Sequence, residues 1–130
     1  MALNILIVDD SAVIRMMILK TLKCAGLDIG EAHQAADGQQ GLAVLDEHWV
    51  DIAFIDINMP VMNGEEMIDR IRANSALADL PILVISTEGS ETRIQNLLKK
   101  GARFVHKPFT PEKIRDVVNE MLGIGANDGQ

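Results

Sequence analysis

Three short runs of residues that are apolar or nearly so throughout, each ending in an acid or a hydroxyl, constrain the fold of this chain more than any other feature. Leu3–Val8 (LNILIV) stops at Asp9 and Asp10, Ile52–Ile55 stops at Asp56, and residues 82–85 (ILVI) stop at Ser86 and Thr87. Arg103–His106 is a weaker fourth run, ending at Lys107 and Pro108, and residues 28–32 supply a fifth of mixed character. Runs that are apolar throughout, rather than alternating, fit strands of a parallel sheet covered on both faces. Parallel neighbours need crossover connections, and the intervening segments have helical periodicity.

Ser11 opens the first helix, with Ile14, Met17, Ile18, Thr21 and Ala25 on its inward stripe and Gly26 as its stop. Asp37 and Gly38 precede a second helix that carries Leu42 and Leu45 and runs out near Trp49. Gly64–Ala73 forms a third, with Met67, Ile68 and Ile71 inward. Ser90 caps a fourth that holds Ile94, Leu97 and Leu98 and closes at Gly101. Thr110 and Pro111 give the cleanest start signal, a capping threonine followed by proline at the first helical position, before Ile114, Val117, Val118 and Met121. Five such units predict an α/β domain, a doubly wound five-stranded parallel sheet with five helices. A chain of 130 residues has room for one such domain, expected over 1–123, with residues 124–130 as a frayed tail.

Composition narrows the function classes. Twelve lysines and arginines against 19 acids give a net charge of −7, which disfavours nucleic acid and anionic membrane as partners, since both need a basic face. The single cysteine, Cys24, cannot form an internal disulfide and reads as a small packed side chain. His33, His48 and His106 share no ligand spacing and read as ordinary strand-end or surface residues. With no membrane-length apolar run and no basic leader at Met1, a cytoplasmic location is expected.

Open parallel sheets place their sites at the carboxyl ends of the strands. Asp9, Asp10, Asp56, Ser86, Thr87 and Lys107 come from four strands and meet on that one rim. Each alone is an ordinary cap or surface residue; together they point to one shared site. Clustered carboxylates repel, so one protonates or a cation binds, and an all-oxygen donor set favours Mg²⁺. A lysine and a hydroxyl facing that cation suit phosphoryl oxygens, and a carboxylate is then available as nucleophile. Asp56 stands alone at its strand end and is the better nucleophile; Asp9 and Asp10 form a pair suited to metal.

These residues resemble a response-regulator receiver domain of the single-domain chemotaxis type. The segments ILIVDDS (5–11), FIDINMPVMNG (54–64), LPILVIST (80–87) and FVHKPF (104–109) carry the resemblance, which runs from Asn4 to Leu122. It implies a flavodoxin-like fold with strand order 2-1-3-4-5. It implies Asp56 as phosphoacceptor and Mg²⁺ held by Asp10, Asp56 and the Asn58 backbone carbonyl, with Asp9 acting through water. Lys107 would bind the phosphoryl group, Ser86 would be the switch hydroxyl and Phe104 the switch aromatic. Asn58 and Glu88 would tune phosphoryl lifetime, and the Lys107–Pro108 peptide would be cis. The implied donor is a histidine kinase or histidine phosphotransfer protein. The signal would leave through a downstream protein on the face of the fourth helix, fifth strand and fifth helix. Serine at 86 keeps the hydroxyl of the commoner threonine, while Phe104 lacks a tyrosine hydroxyl.

The first helix, VIRMMILKTL, is apolar on more than one stripe. Val13, Met16 and Leu19 are expected to point outward, either under the fifth helix or as a docking surface for the phosphodonor. The function expected is therefore a Mg²⁺-dependent phosphorylation switch in chemotaxis or motility control, with no general substrate turnover. A relay intermediate and a receiver-like module that only binds partners are the alternatives. An aspartate-nucleophile phosphatase would want an acid where Asn58 stands, and a nucleotide or flavin carrier would want glycines where Asp10 and Ser11 stand.

Overall fold

The apolar runs become the middle of a parallel sheet in a computed structural model that describes residues 2–123. The elements alternate as β1 (Leu3–Val8), α1 (Ala12–Cys24), β2 (Ile29–Ala35), α2 (Gly38–Glu47), β3 (Ile52–Ile55), α3 (Gly64–Ala73), β4 (Ile82–Ser86), α4 (Glu91–Lys99), β5 (Arg103–His106) and α5 (Pro111–Leu122). The strand order is β2-β1-β3-β4-β5, every neighbouring pair parallel, as the resemblance implies. The frayed tail expected at 124–130 lies outside the described residues.

Alternation along each strand sends its side chains to two separate cores. Leu6, Val8, Ala53, Ile55, Ile82 and Val84 meet Leu45 of α2, Met67, Ile68 and Ile71 of α3, and Leu97 of α4. Ile5, Ile7, Ile52, Phe54, Leu83, Ile85 and Val105 meet Ile18 and Leu22 of α1 and Ile114, Val117 and Val118 of α5. Central strands buried on both faces leave no polar position, which is why their sequences read as unbroken apolar runs. Truncating one of these side chains, Leu22→Ala for instance, costs about 2–5 kcal/mol.

The helix starts follow capping chemistry. Ser11, Ser90 and Thr110 each accept a backbone N–H three residues on, from Ile14, Arg93 and Lys113. Asp37 does the same for Gln40, and Asn63 for Glu66. Gly26 and Gly101 adopt positive φ, +85° and +81°, where the chain leaves α1 and α4.

Several local expectations need correction. β2 runs from Ile29 to Ala35, beyond the 28–32 segment expected from its apolar content. It is an edge strand with one half-solvated face, so Glu31, His33 and Gln34 interrupt its pattern without ending it. In α1 the buried residues are Ile18 and Leu22; Met17, placed inward by periodicity, is 53% exposed. Leu19, expected outward, is partly buried against the α1–α5 core, while Val13 and Met16 are exposed as expected. Leu98 is exposed on α4, and Cys24 is exposed rather than packed.

Candidate functional site

The sheet's own hydrogen bonds bring the strand-end residues together. Beyond the last paired residues, Asp9 N–H donates to the Ala35 carbonyl (3.1 Å), Asp56 N–H to Val8 (2.9 Å) and Lys107 N–H to Ser86 (2.9 Å). Each bond fixes one rim residue against the next strand, so residues distant in sequence share one edge. The Lys107–Pro108 peptide is cis. Gly64, at the start of α3, lies so close to the strand end that a Cβ there would stand 2.2 Å from the Asp56 carbonyl oxygen. No side chain fits that gap, which gives the Asn63-Gly64 pair its physical reason.

Carboxylate oxygens of Asp9, Asp10 and Asp56 lie within 4.8 Å of one another. Asp9 is buried, and both its oxygens are engaged: Oδ1 accepts from Ser11 N–H (2.9 Å) and Oδ2 from Lys107 Nζ (3.0 Å). Asp10 is exposed. Asp56 is held through Oδ1 by the Ile57 N–H at 2.7 Å, while its Oδ2 lies 3.6 Å from Lys107 Nζ. One Asp56 oxygen is therefore fixed, and the other faces the lysine.

Burial pushes the Asp56 carboxyl above its ordinary value. Lys107 pulls it back down, Asp9 raises it further, and the Ile57 N–H and Ser86 hydroxyl lower it. The carboxylate charge is thus under-compensated by the protein alone, in a setting of oxygen donors only. That donor chemistry fits a hard divalent cation such as Mg²⁺, and Asp9, Asp10 and Asp56 form the group that could hold one. Ser86 is buried; its Oγ accepts from the Glu88 N–H (3.1 Å) and keeps its own hydrogen to donate.

One residue at this rim escapes a reading of the sequence. Arg93, in the first turns of α4, pairs with Glu65 of α3 (2.7 Å) and with Glu88 (2.6 Å), and reaches Asn58 Oδ1 at 3.5 Å. It ties together both loops that flank Asp56. The Ser90 N–H holds the Glu88 carboxyl below its usual range, with Arg93 and Asn58 adding to the effect. Phe104 is half-buried on β5, its ring edge-on to His106 with centroids 4.7 Å apart. The cleft beside Lys107 is lined by Ile14, Met17 and Thr21 of α1 with Thr87, Pro108 and Phe109. Met17, rather than Leu19, thus joins Val13 and Met16 on the exposed face of α1.

The model of the response regulator receiver domain family matches residues 5–119. A chemotaxis protein CheY homolog of Campylobacter jejuni is 33% identical over 129 residues, covering 98% of this chain and 98% of its own. The solved chemotaxis response regulator CheY4 of Vibrio cholerae superposes with a TM-score of 0.80 at 36% identity, over 93% of this chain and 99% of that one. The CheX–CheY–BeF3–Mg complex from Borrelia burgdorferi matches with a TM-score of 0.82 at 29% identity, over 92% and 89% of the two chains.

Proposed function

From the chain's membership of the response regulator receiver domain family, we propose that it is a phosphorylation switch of chemotaxis signalling in the cytoplasm, with Asp56 as phosphoacceptor. The observation that carries this reading is the convergence of three carboxylates with Lys107, whose Nζ lies 3.0 Å from Asp9 and 3.6 Å from Asp56.

Asp56 Oδ2, the oxygen not held by the backbone, attacks the phosphorus of a phosphohistidine on a kinase or phosphotransfer protein. The new P–O bond forms as the P–N bond breaks, and the imidazole leaves with its electron pair. Lys107 faces the developing charge on the phosphoryl oxygens. Asp10, Asp56 and the Asn58 carbonyl would hold a Mg²⁺ ion, with Asp9 acting through water, and the ion would supply further charge neutralisation. Ser86 turns from its Glu88 contact to donate to a phosphoryl oxygen. Phe104 follows that movement and carries it to the α4–β5–α5 face, where a downstream protein binds. The donor reaches Asp56 across α1, whose exposed Val13 and Met16 flank the cleft lined by Met17. The relatives' names place them in chemotaxis, and the Borrelia complex pairs one with CheX, which supports a protein as the receiver of the signal.

Beryllofluoride mimics a phosphoryl group on aspartate and tests the switch directly. With Mg²⁺ present it should shift amide resonances near Asp56, Ser86 and Lys107 and also along α4, β5 and α5. Shifts confined to the rim would retain the acceptor and remove the proposed output face.

A further inference from the structure

β2 forms the sheet edge opposite β5, and its alternating side chains put Glu31 and His33 on one face. α2 runs back beside that strand and ends at its C-cap, His48. The imidazoles of His33 and His48 stack, with centroids 4.2 Å apart and planes 28° apart. Two histidines fifteen positions apart, which spacing alone leaves unrelated, are thereby brought into contact. Glu31 Oε1 stands 3.2 Å from His33 Nε2, and ligand atoms of all three residues lie within 4.8 Å of one another.

His33 Nε2 is buried and, among the described residues, is the one buried side-chain polar atom without a hydrogen bond. The Glu31 carboxylate is near it but not aligned with it. Leaving a buried ring nitrogen unpaired is costly, and such atoms call for a physical reason. Here the nitrogen is aimed into a cluster that holds a second imidazole and a carboxylate.

We propose that Glu31, His33 and His48 form a second metal site, for a borderline transition-metal ion of the Zn²⁺ class. Two imidazoles and one carboxylate favour Zn²⁺, Ni²⁺ or Cu²⁺ over Mg²⁺, whose preferred donors are the carboxylates of the other rim. Three protein ligands leave a coordination position for water. His33 is fixed in the sheet, while Glu31 and His48 lie at the surface, free to close on an ion arriving from solvent. Bonds of about 2.0–2.1 Å require the rings to leave their stack, a turn that exposed His48 can make. The ion then supplies the partner that His33 Nε2 lacks. This site does not depend on phosphoryl chemistry at Asp56.

Trp49 is the chain's single tryptophan and follows His48 directly, so it reports on this site. The test titrates the full chain with Ni²⁺, excess Mg²⁺ being present to occupy the acid rim, and follows Trp49 fluorescence. Saturable quenching at one equivalent, reversed by Zn²⁺, is expected. His48→Ala, at an exposed position, should weaken it about tenfold or more, as should His33→Gln. Asp56→Asn should leave it unchanged. Quenching that does not saturate, that persists in His48→Ala, or that disappears in Asp56→Asn overturns the proposal.

Discussion

Asp56 carries its charge where burial and Asp9 both oppose it, with Lys107 as the main compensation. A carboxyl whose folded value lies above its unfolded one binds protons more tightly when folded. Its contribution to stability is therefore present at low pH and is lost as pH rises through the folded value. At neutral pH without a divalent cation, Asp56→Asn should stabilise the fold by about 1 kcal/mol, or roughly 3–5 °C in melting temperature. Adding Mg²⁺ should then raise the wild-type melting temperature more than that of the variant. Equal responses would place the cation elsewhere. Gly64 makes the complementary case, because its role is steric. Gly64→Ala forces a methyl group against the Asp56 carbonyl and should cost about 1–3 kcal/mol by chemical denaturation. A neutral result would mean that α3 can move off the strand end.

The Arg93 contacts act between elements, joining α4 to α3 and to the loop that carries Glu88. Partly exposed ion pairs contribute little to stability, so Arg93→Ala should cost about 1 kcal/mol or less. Its larger effect should be kinetic. With Arg93 gone, Glu88, Glu65 and Asn58 lose the cation they share across the mouth of the site, and water reaches Asp56 more freely. The aspartyl phosphate should decay severalfold faster in a phosphate-release assay; an unchanged lifetime would reduce Arg93 to a surface brace. On α1, Met16→Lys should slow transfer from a histidine kinase while sparing a small phosphodonor, and equal slowing of both would remove the docking role. These elements also show where the sequence loses resolution. MMIL, residues 16–19, is apolar all round, so periodicity gives no phase: Met17 is exposed, while Leu19 is partly buried yet still lines a surface groove beside Met16. β2 is hard to delimit because an edge strand needs only half its residues apolar. Arg93 and Glu65 look like ordinary helix charges until α3 and α4 are set side by side.

At the scale of the molecule, the fold was legible because a parallel sheet buried on both faces writes itself as unbroken apolar runs, seen in ILIV at 5–8 and ILVI at 82–85. The site was legible for a related reason: the residues that end those runs must share one rim. Strand order came from resemblance, since periodicity carries no information about which strands are neighbours. The His33–His48 contact was hidden because it depends on how α2 returns beside β2. None of the described helices is long and apolar enough to cross a membrane, and the two cores take up the apolar faces of the helices apart from Val13, Met16 and Met17 on α1 and Leu98 on α4. The exposed apolar side chains of α1 lie on a different part of the surface from the sheet edge formed by β2.

Whether Asp56 accepts a phosphoryl group with help from Mg²⁺ can be read from the intact mass of the protein. The chain is incubated with a small phosphodonor, with and without Mg²⁺, beside Asp56→Asn. One added phosphoryl group is expected, dependent on Mg²⁺ and absent from the variant. The same adduct on Asp56→Asn, or one formed equally without Mg²⁺, would contradict it.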